Sequence, residues 1–452
     1  MFIERIVSEG LAHYSYIVGD DDEAFVVDPR RDVDSYIRIA ESNCCRIKAV
    51  FETHRNEDYL VGSRLLEKET GCRVIHSNRL DFGYGEQASD GETFEIGGMR
   101  LKILETPGHS PESLSFVLFS SGEPWCVFTG DTLFYGNAGR ADLLGKEKVV
   151  ENASLLFESL QKLLTLNDGV IVYPVHGSGS ACGGSMSDIP SSTIGFERVS
   201  NPVLRMNREE FIEQKKNEII PLPPYFARMA EQNRKGPNAP AKQKIKPMGT
   251  LEFEEAMPEC TIVDTRSPLG FAGGHLEGSY NIWLNGMATF PGWILDYEKD
   301  ILLVTERKAD VELARLYLAR IGFDKVKGFL CEGIVGWYSL GLPLEESGVL
   351  TAGGFRDESK KEDMFVLDVR NKEEYAEGHI PGAVNIYVGE LEGRDNEVPS
   401  DRPVVTVCAL GNKAGLGASI LKRQGFDRVY NLIGGMKAWK ERGFPVKQED
   451  SD

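Results

Sequence analysis

The sequence predicts a multidomain protein of mixed α+β and α/β class, and three observations carry that prediction. At roughly 100–200 residues per domain, a chain of 452 residues holds two to four domains. Short apolar runs separated by turn residues fill the stretch 1–200, the pattern of a strand-rich domain. The second half repeats itself at an offset of 102–104 residues, which suits two copies of one domain and is far too long for a solenoid repeat. Composition, 41% hydrophobic and 27% charged, supplies apolar material for several cores.

In the first domain, 1–200, the runs HYSYIVG, EAFVVDP, IKAVFETH, CRVIHS, MRLKILETPGHS, SLSFVLFS, WCVFTGD and GVIVYPVHG read as strands, with helical stretches such as SLLFESLQKLL between some of them. Asp28, His54, His109, Asp131 and His176 each follow such a run, where rigid elements can deliver side chains to one shared site. Residues 201–245 combine an amphipathic helix, a Pro-rich break and a basic, Gly/Pro-bearing tail, which reads as a helical extension and linker. The duplicated domains follow at 246–346 and 350–448, joined through 347–361. TIVDTRSPLGFAGGHLEGSYNI matches FVLDVRNKEEYAEGHIPGAVNI, so Asp264 pairs with Asp368, His275 with His379 and Asn281 with Asn385; later Trp337 pairs with Trp439. Each copy reads as alternating strands and helices, hence a parallel α/β sheet. Equivalent placement in both copies marks His275 and His379 as structural.

Several function classes are excluded. A formal net charge of -19 makes nucleic acid and anionic membranes poor partners for the chain, while a local pocket for small anions stays open. No run of 18 apolar residues predicts a membrane span, and the acidic N-terminal stretch MFIERIVSEG does not read as a signal peptide. The eight cysteines are scattered without a CxxC pair, which argues against disulfide scaffolding and a structural zinc site and for a reducing, cytoplasmic location.

In the last copy, RPVVTVCALGNKAGLGASILKRQGF places Cys408 directly after the buried strand VVTV, before Gly, Asn and a helix. A strand-to-helix loop of this kind, Cys408, Ala409, Leu410, Gly411, Asn412 and Lys413, points backbone N–H groups inward as an anion nest. Such a nest, with Lys413 and the helix dipole, would lower the Cys408 pKa and could hold a persulfide, whereas a lone buried cysteine without these flanks is ordinary core. With DVR, GHIPGAVNI and GGMKAWKERGFP around it, this copy resembles a rhodanese (sulfurtransferase) domain. The family's further Arg after the Cys and at the loop's end are Ala409 and Lys413 here, so the loop is less cationic than usual. The middle copy has TERKAD in the same place, with Thr305 opposite Cys408; it resembles a rhodanese domain that cannot carry sulfur. Docking or scaffolding is its reading, with anion binding by Arg307 and Lys308 the alternative.

His54, His109, Asp131 and His176, with TPGHS, FTGDTLF and PVHGSGSACGG, make residues 1–200 resemble the metallo-β-lactamase superfamily, which implies an αββα sandwich. In that family a THxHxDH stretch supplies ligands for two metals. Here the stretch is Thr53, His54, Arg55, Asn56, Glu57, Asp58 and Tyr59, so two histidine positions are Asn56 and Tyr59. An amide and a phenol are poor ligands for a second divalent ion, and a site from Asp58, His176 and a shared Asp131 is short of nitrogen donors. His54, His109 and Asp131 remain, the two-histidine, one-carboxylate set of non-haem Fe(II) sites. Within the superfamily, persulfide dioxygenases bind one iron this way, and RRDVDSYI, NAGRADL and HGSGSACGG also resemble that branch.

The resemblance thus implies a persulfide dioxygenase fused to two rhodanese domains, the first without its cysteine. One Fe(II) per chain would serve O2 and a persulfide of glutathione, coenzyme A or a similar thiol. Sulfite would leave the iron site, and Cys408 would pass sulfur to sulfite, giving thiosulfate, or supply the dioxygenase. The family also implies a homo-oligomer. His176 reads either as a hydrogen-bonder facing the iron or as a strand-end histidine satisfied by backbone. Tyr59 reads as a phenol near substrate or as packing, and Arg140 as a pocket wall paired with Asp142. The rival functions are a glyoxalase II-like di-metal thioester hydrolase and a sulfurtransferase carrying a metal-free scaffold domain.

Overall fold

Alternation along the first strands decides the architecture. Successive strand residues point to opposite faces, and in central strands such as those at 13–20 and 23–27 both faces are buried, so the middle of each sheet must be covered on both sides. A computed structural model describes residues 1–180, 182–183, 186–218, 220–240 and 244–449. It divides into two units, Met1–Lys242 with Arg320–Gly322, and Gln243–Ala319 with Phe323–Asp452.

The first unit is built on two six-stranded sheets. Strands β1 (Phe2–Ser8), β2 (His13–Asp20), β3 (Glu23–Val27), β4 (Arg46–Phe51), β5 (Arg73–Ser77) and β6 (Glu86–Ala88) lie in sequence order, antiparallel up to β3 and parallel beyond it. The second sheet takes β7 (Thr93–Ile96), β8 (Met99–Glu105), β9 (Leu114–Ser120) and β10 (Glu123–Gly130) as a meander. A small hairpin follows, β11 (Leu133–Phe134) with β12 (Asn137–Ala138). Then β13 (Ile171–Pro174) joins β10 in parallel and β14 (Ser192–Thr193) closes the edge. Phe25 and Val27 meet Phe51, Phe116 and Phe128 between the sheets, while Ala24 and Val26 join Tyr36, Val50 and Leu66 outside. The outer face of the second sheet, through Val117, Val127 and Val172, buries Leu156 and Leu160 of the helix Val149–Leu163 and Phe211 of the helix Arg208–Asn217. This is an αββα sandwich.

The extension after residue 200 belongs to this unit. An Asn207/Glu210 capping box starts the helix Arg208–Asn217, and fully buried Phe211 docks it, a burial worth about 2–3 kcal/mol. A second helix, Phe226–Lys235, buries Asn233.

The second unit holds the repeats as two five-stranded parallel sheets. The first comprises β15 (Lys246–Met248), β16 (Cys260–Asp264), β17 (Tyr280–Asn281), β18 (Asp300–Val304) and β19 (Val326–Leu330), ordered 15-19-18-16-17. The second comprises β20 (Gly348–Leu350), β21 (Phe365–Asp368), β22 (Val384–Asn385), β23 (Val404–Val407) and β24 (Val429–Leu432), ordered 20-24-23-21-22. The segment read as a join therefore contains β20 and the helix Ala352–Glu358. Internal contacts repeat as well. Asp264 and Arg266 form a buried fork at 2.6 Å, as do Asp368 and Arg370 at 2.6 Å. His275 and His379 stack on Phe271 and Tyr375 at 3.8 Å and bond those residues' carbonyls through Nδ1, so both are structural. Between the repeats, the Asn281 N–H donates to buried Ser419 Oγ at 3.0 Å. Among the described residues, no helix is long and apolar enough to cross a membrane.

Within the first unit, one glycine ties the packing of the helix Val149–Leu163 to the strand ends. Gly108 has φ +135°, and a Cβ there would stand 2.3 Å from the backbone nitrogen of Leu156. Backbone cannot yield as a side-chain tip can. Gly108→Ala is expected to destabilise the first unit by about 2–4 kcal/mol and to displace His109 next to it. Calorimetry should show a lowered first-unit transition with the repeats' transition unmoved.

Candidate functional site

The site grows from the end of β4. Asp28, just after β3, is buried, and both the N–H and the hydroxyl of Thr53 donate to it at 2.8 Å. With its proton committed to Asp28, Thr53 Oγ1 accepts from His54 Nδ1 at 2.9 Å, which leaves the Nε2 lone pair of His54 facing inward. Burial pushes the His54 pKa down to about 3, so its imidazole is neutral. His109, in the β8–β9 connection, donates Nδ1–H to the Arg140 carbonyl at 3.1 Å and likewise turns Nε2 inward. Asp131, after β10, places Oδ2 3.4 Å from His109 Nε2 and 3.8 Å from His54 Nε2. The structure thus brings His54, His109 and Asp131 together.

His176 stands behind this group and meets carboxylates rather than backbone carbonyls. Its Nδ1 lies 2.8 Å from Asp131 Oδ1 and its Nε2 2.9 Å from Asp58 Oδ2. Burial alone would depress its pKa, but the charges of Asp131 and Asp58 more than reverse that and raise it well above the ordinary value. Burial likewise opposes ionisation of Asp131, and the His176 charge and hydrogen bond hold its carboxyl below the usual range.

The other positions singled out in the sequence serve the loop. Asn56, at φ +28°, donates to the His54 carbonyl at 3.2 Å. The Tyr59 hydroxyl donates to the Asp28 carbonyl at 3.2 Å, and its ring lies 3.9 Å from that of His13. Arg140 forks onto Asp142 at 2.6 and 2.9 Å and donates to the carbonyls of Ile220 and Pro221, so it ties the extension to the site wall.

Sequence reasoning missed three residues. Asn233, from the helix Phe226–Lys235, donates to the carbonyls of Asn56 and Tyr59 at 2.7 Å each and accepts from the Val61 N–H at 3.0 Å. No local pattern marks a residue that acts on a loop so distant in sequence. Buried Cys182 has its sulfur near Asp58 and His176, the three donor atoms lying within 4.8 Å of one another. Glu57 sits inside the quoted stretch, where no family motif flags it, and its Oε2 is 3.9 Å from Nε2 of both His54 and His109.

His54 Nε2, His109 Nε2 and Glu57 Oε2 are buried with no hydrogen-bond partner, although most buried polar atoms have one. Imidazole nitrogens and carboxylate oxygens left open toward one point are a donor set for a divalent or ferrous ion. The residues present therefore fit a metal.

The second candidate site follows β23. The Gly411 N–H donates to Cys408 Sγ at 3.0 Å, with Gly411 at φ +109°. The carbonyls of Cys408 and Ala409 accept from the Met436 and Lys437 N–H groups, which fixes the loop against a helix start; a Cβ at Gly435 would meet the Cys408 oxygen at 2.0 Å. Lys413 pairs with Glu374 at 3.2 Å, Asn412 begins the helix Asn412–Arg423, and Leu410 is exposed. The expected fall in the Cys408 pKa is reversed. Burial pushes the thiol up, and the backbone N–H groups of Ala414, Gly411 and Leu410 with Lys413 offset it only in part. In the copy without the loop cysteine, the Thr305 hydroxyl donates to the Arg307 carbonyl at 3.1 Å, and Arg307 pairs with Asp310 at 2.7 Å.

Comparison with known proteins places these stretches of the chain in families. The metallo-beta-lactamase superfamily model matches residues 9–176, and the rhodanese-like domain model matches twice, at 250–340 and 351–442. A mitochondrial persulfide dioxygenase from Bos taurus is 28% identical over 219 residues, 46% of this chain and 78% of that protein. A hydroxyacylglutathione hydrolase from Haemophilus influenzae is 28% identical over 212 residues, 42% of this chain and 91% of that protein. The crystal structure of a metallo-beta-lactamase from Staphylococcus aureus is 30% identical with a TM-score of 0.66, covering 73% of this chain and 98% of that one. Fold, buried donor set and matches agree: the chain belongs to the metallo-β-lactamase superfamily, in an architecture that fuses a domain homologous to persulfide dioxygenases with two rhodanese-like domains.

Proposed function

We propose that the first domain oxidises the outer sulfur of low-molecular-weight persulfides with O2 at one iron held by His54, His109 and Asp131, and that Cys408 carries sulfane sulfur. The observation that carries the reading is the donor set. Two imidazole nitrogens without other partners face a carboxylate, while Asn56 and Tyr59, where a second ion's histidines would stand, are turned to backbone carbonyls. The overall conversion is RSSH, O2 and water to RSH, sulfite and two protons. A ferrous ion, when bound, supplies the redox chemistry that O2 needs to react with sulfur.

The chain's own residues prepare that chemistry. Thr53 and the Arg140 carbonyl each hold an Nδ1–H, so both Nε2 lone pairs point into the pocket. His176 holds a proton between Asp58 and Asp131 and keeps the Asp131 carboxylate ionised and oriented. Burial of the set excludes water. In the last domain, a Cys408 persulfide would hand its outer sulfur to sulfite: the S–S bond at Cys408 breaks, the S–S bond of thiosulfate forms, and Cys408 leaves as thiolate. Glutathione and coenzyme A are the carrier thiols we propose, with fusion raising one site's product near the other.

A second reading, a two-metal thioester hydrolase, draws on the Asp58, His176 and Cys182 cluster and on the hydrolase relative. Metal analysis of the purified chain separates the two. About one iron per chain is expected, with O2 uptake and sulfite release on adding glutathione persulfide; two zinc ions or no metal would overturn the proposal. Cys408→Ser is expected to abolish sulfur transfer and leave O2 uptake intact, and loss of both activities would show that the roles are divided wrongly.

Asn233→Ala should free the loop that carries His54, weakening iron binding about 10-fold while sulfur transfer at Cys408 is unchanged. Alkylation followed by mass spectrometry tests the sulfur loop. At neutral pH Cys408 should react more slowly than exposed Cys44, and its rate should still be rising above the pH where an ordinary thiol levels off.

A further inference from the structure

The three-ligand reading leaves one buried group without a purpose. Glu57 is only 4% exposed, and its two oxygens differ. Oε1 meets Arg55 at 3.3 Å, whereas Oε2 is buried without a hydrogen-bond partner. A carboxylate oxygen in that state is expensive unless a cation compensates it. The atoms closest to it on the site side are His54 Nε2 and His109 Nε2, at 3.9 Å each, and these are themselves buried and partnerless. Neither can satisfy Oε2 by donating, because each ring already commits its Nδ1–H elsewhere and turns a lone pair inward. Three buried polar atoms that face one another without a hydrogen bond among them are in conflict. A metal ion among them removes the conflict.

We infer that Glu57 is a fourth protein ligand, binding the same ion as His54, His109 and Asp131. This rests on the proposal that the pocket holds one metal. The spacing agrees with it. Donors that share a divalent ion at about 2.1 Å stand about 3.0–3.5 Å apart, so the separations of 3.4–3.9 Å to the two carboxylates close by a few tenths of an ångström. Four protein ligands leave two rather than three positions of an octahedral ion to small molecules.

The test uses the full-length chain stripped of metal and titrated anaerobically with Fe(II), and in parallel with Co(II) as a spectroscopic probe. Glu57→Gln keeps the shape and removes the charge. It should weaken binding of both ions by about 100-fold and change the visible Co(II) spectrum. It should also raise the melting temperature of the metal-free protein, because an amide N–H replaces the unpartnered carboxylate oxygen that faces the two imidazole nitrogens, while lowering that of the loaded protein. A merely structural Glu57 would lower both. Glu57→Asp, which keeps the charge but retracts it by one methylene, should lose affinity without stabilising the metal-free chain, and it decides the matter if the Gln variant fails to fold. Unchanged affinity and an unchanged Co(II) spectrum in both variants would overturn the inference. Asp131→Asn and His54→Ala separate this from failure of the underlying reading: if they abolish binding and the Glu57 variants do not, only the fourth ligand is wrong. If the unmutated chain binds no ion, the single-metal reading falls with it.

Discussion

The central strands of both sheets of the first unit are buried on both faces, and the site at their ends follows from this constraint. A strand with apolar neighbours above and below has no place for a charged side chain along its length. Polar residues are driven to the strand ends, and because β3, β4, β10 and β13 end at the same edge of the sandwich, Asp28, His54, Asp131 and His176 collect there. Packing thus concentrates ionisable groups in one place, and their burial makes them depend on one another.

That dependence is visible in how the groups are satisfied. Asp28 holds Thr53, Thr53 orients His54, and His176 holds a proton between two carboxylates. Each link uses the atom that does not face the pocket, so the atoms left over are lone pairs. The same network that stabilises the loop therefore leaves a cation-shaped gap in its hydrogen bonding. Asn233 closes the loop from outside by binding three backbone groups that no strand could reach.

The repeats show how one scaffold separates support from chemistry. The buried Asp–Arg forks and the histidine stacks recur in both copies because they hold the parallel sheet and its first loop together. The loop after the fourth strand in chain order is free of that duty, so Thr305 can stand where its counterpart is Cys408 without loss of the fold. The cysteine's loop is cationic only through Lys413, which Glu374 already pairs. Burial then outweighs the nest and raises the thiol's pKa, against the simple expectation from loop geometry.

The sequence by itself determined much of this protein. Apolar runs bounded by turn residues named the strands, the 102–104 offset named the duplication, and resemblance to family motifs picked out His54, His109, Asp131 and Cys408, because these are local patterns written in consecutive residues. Tertiary structure alone decided which other groups share the site. Asn233 reaches the His54 loop only because the extension's helices dock on the sandwich, Cys182 meets Asp58 only across the strand ends, and Glu57 acquires meaning only when its neighbours' second nitrogens are seen to be engaged. The sign of the Cys408 shift belongs to the same class, since desolvation is set by what the whole domain packs around a group and not by the residues beside it in the chain.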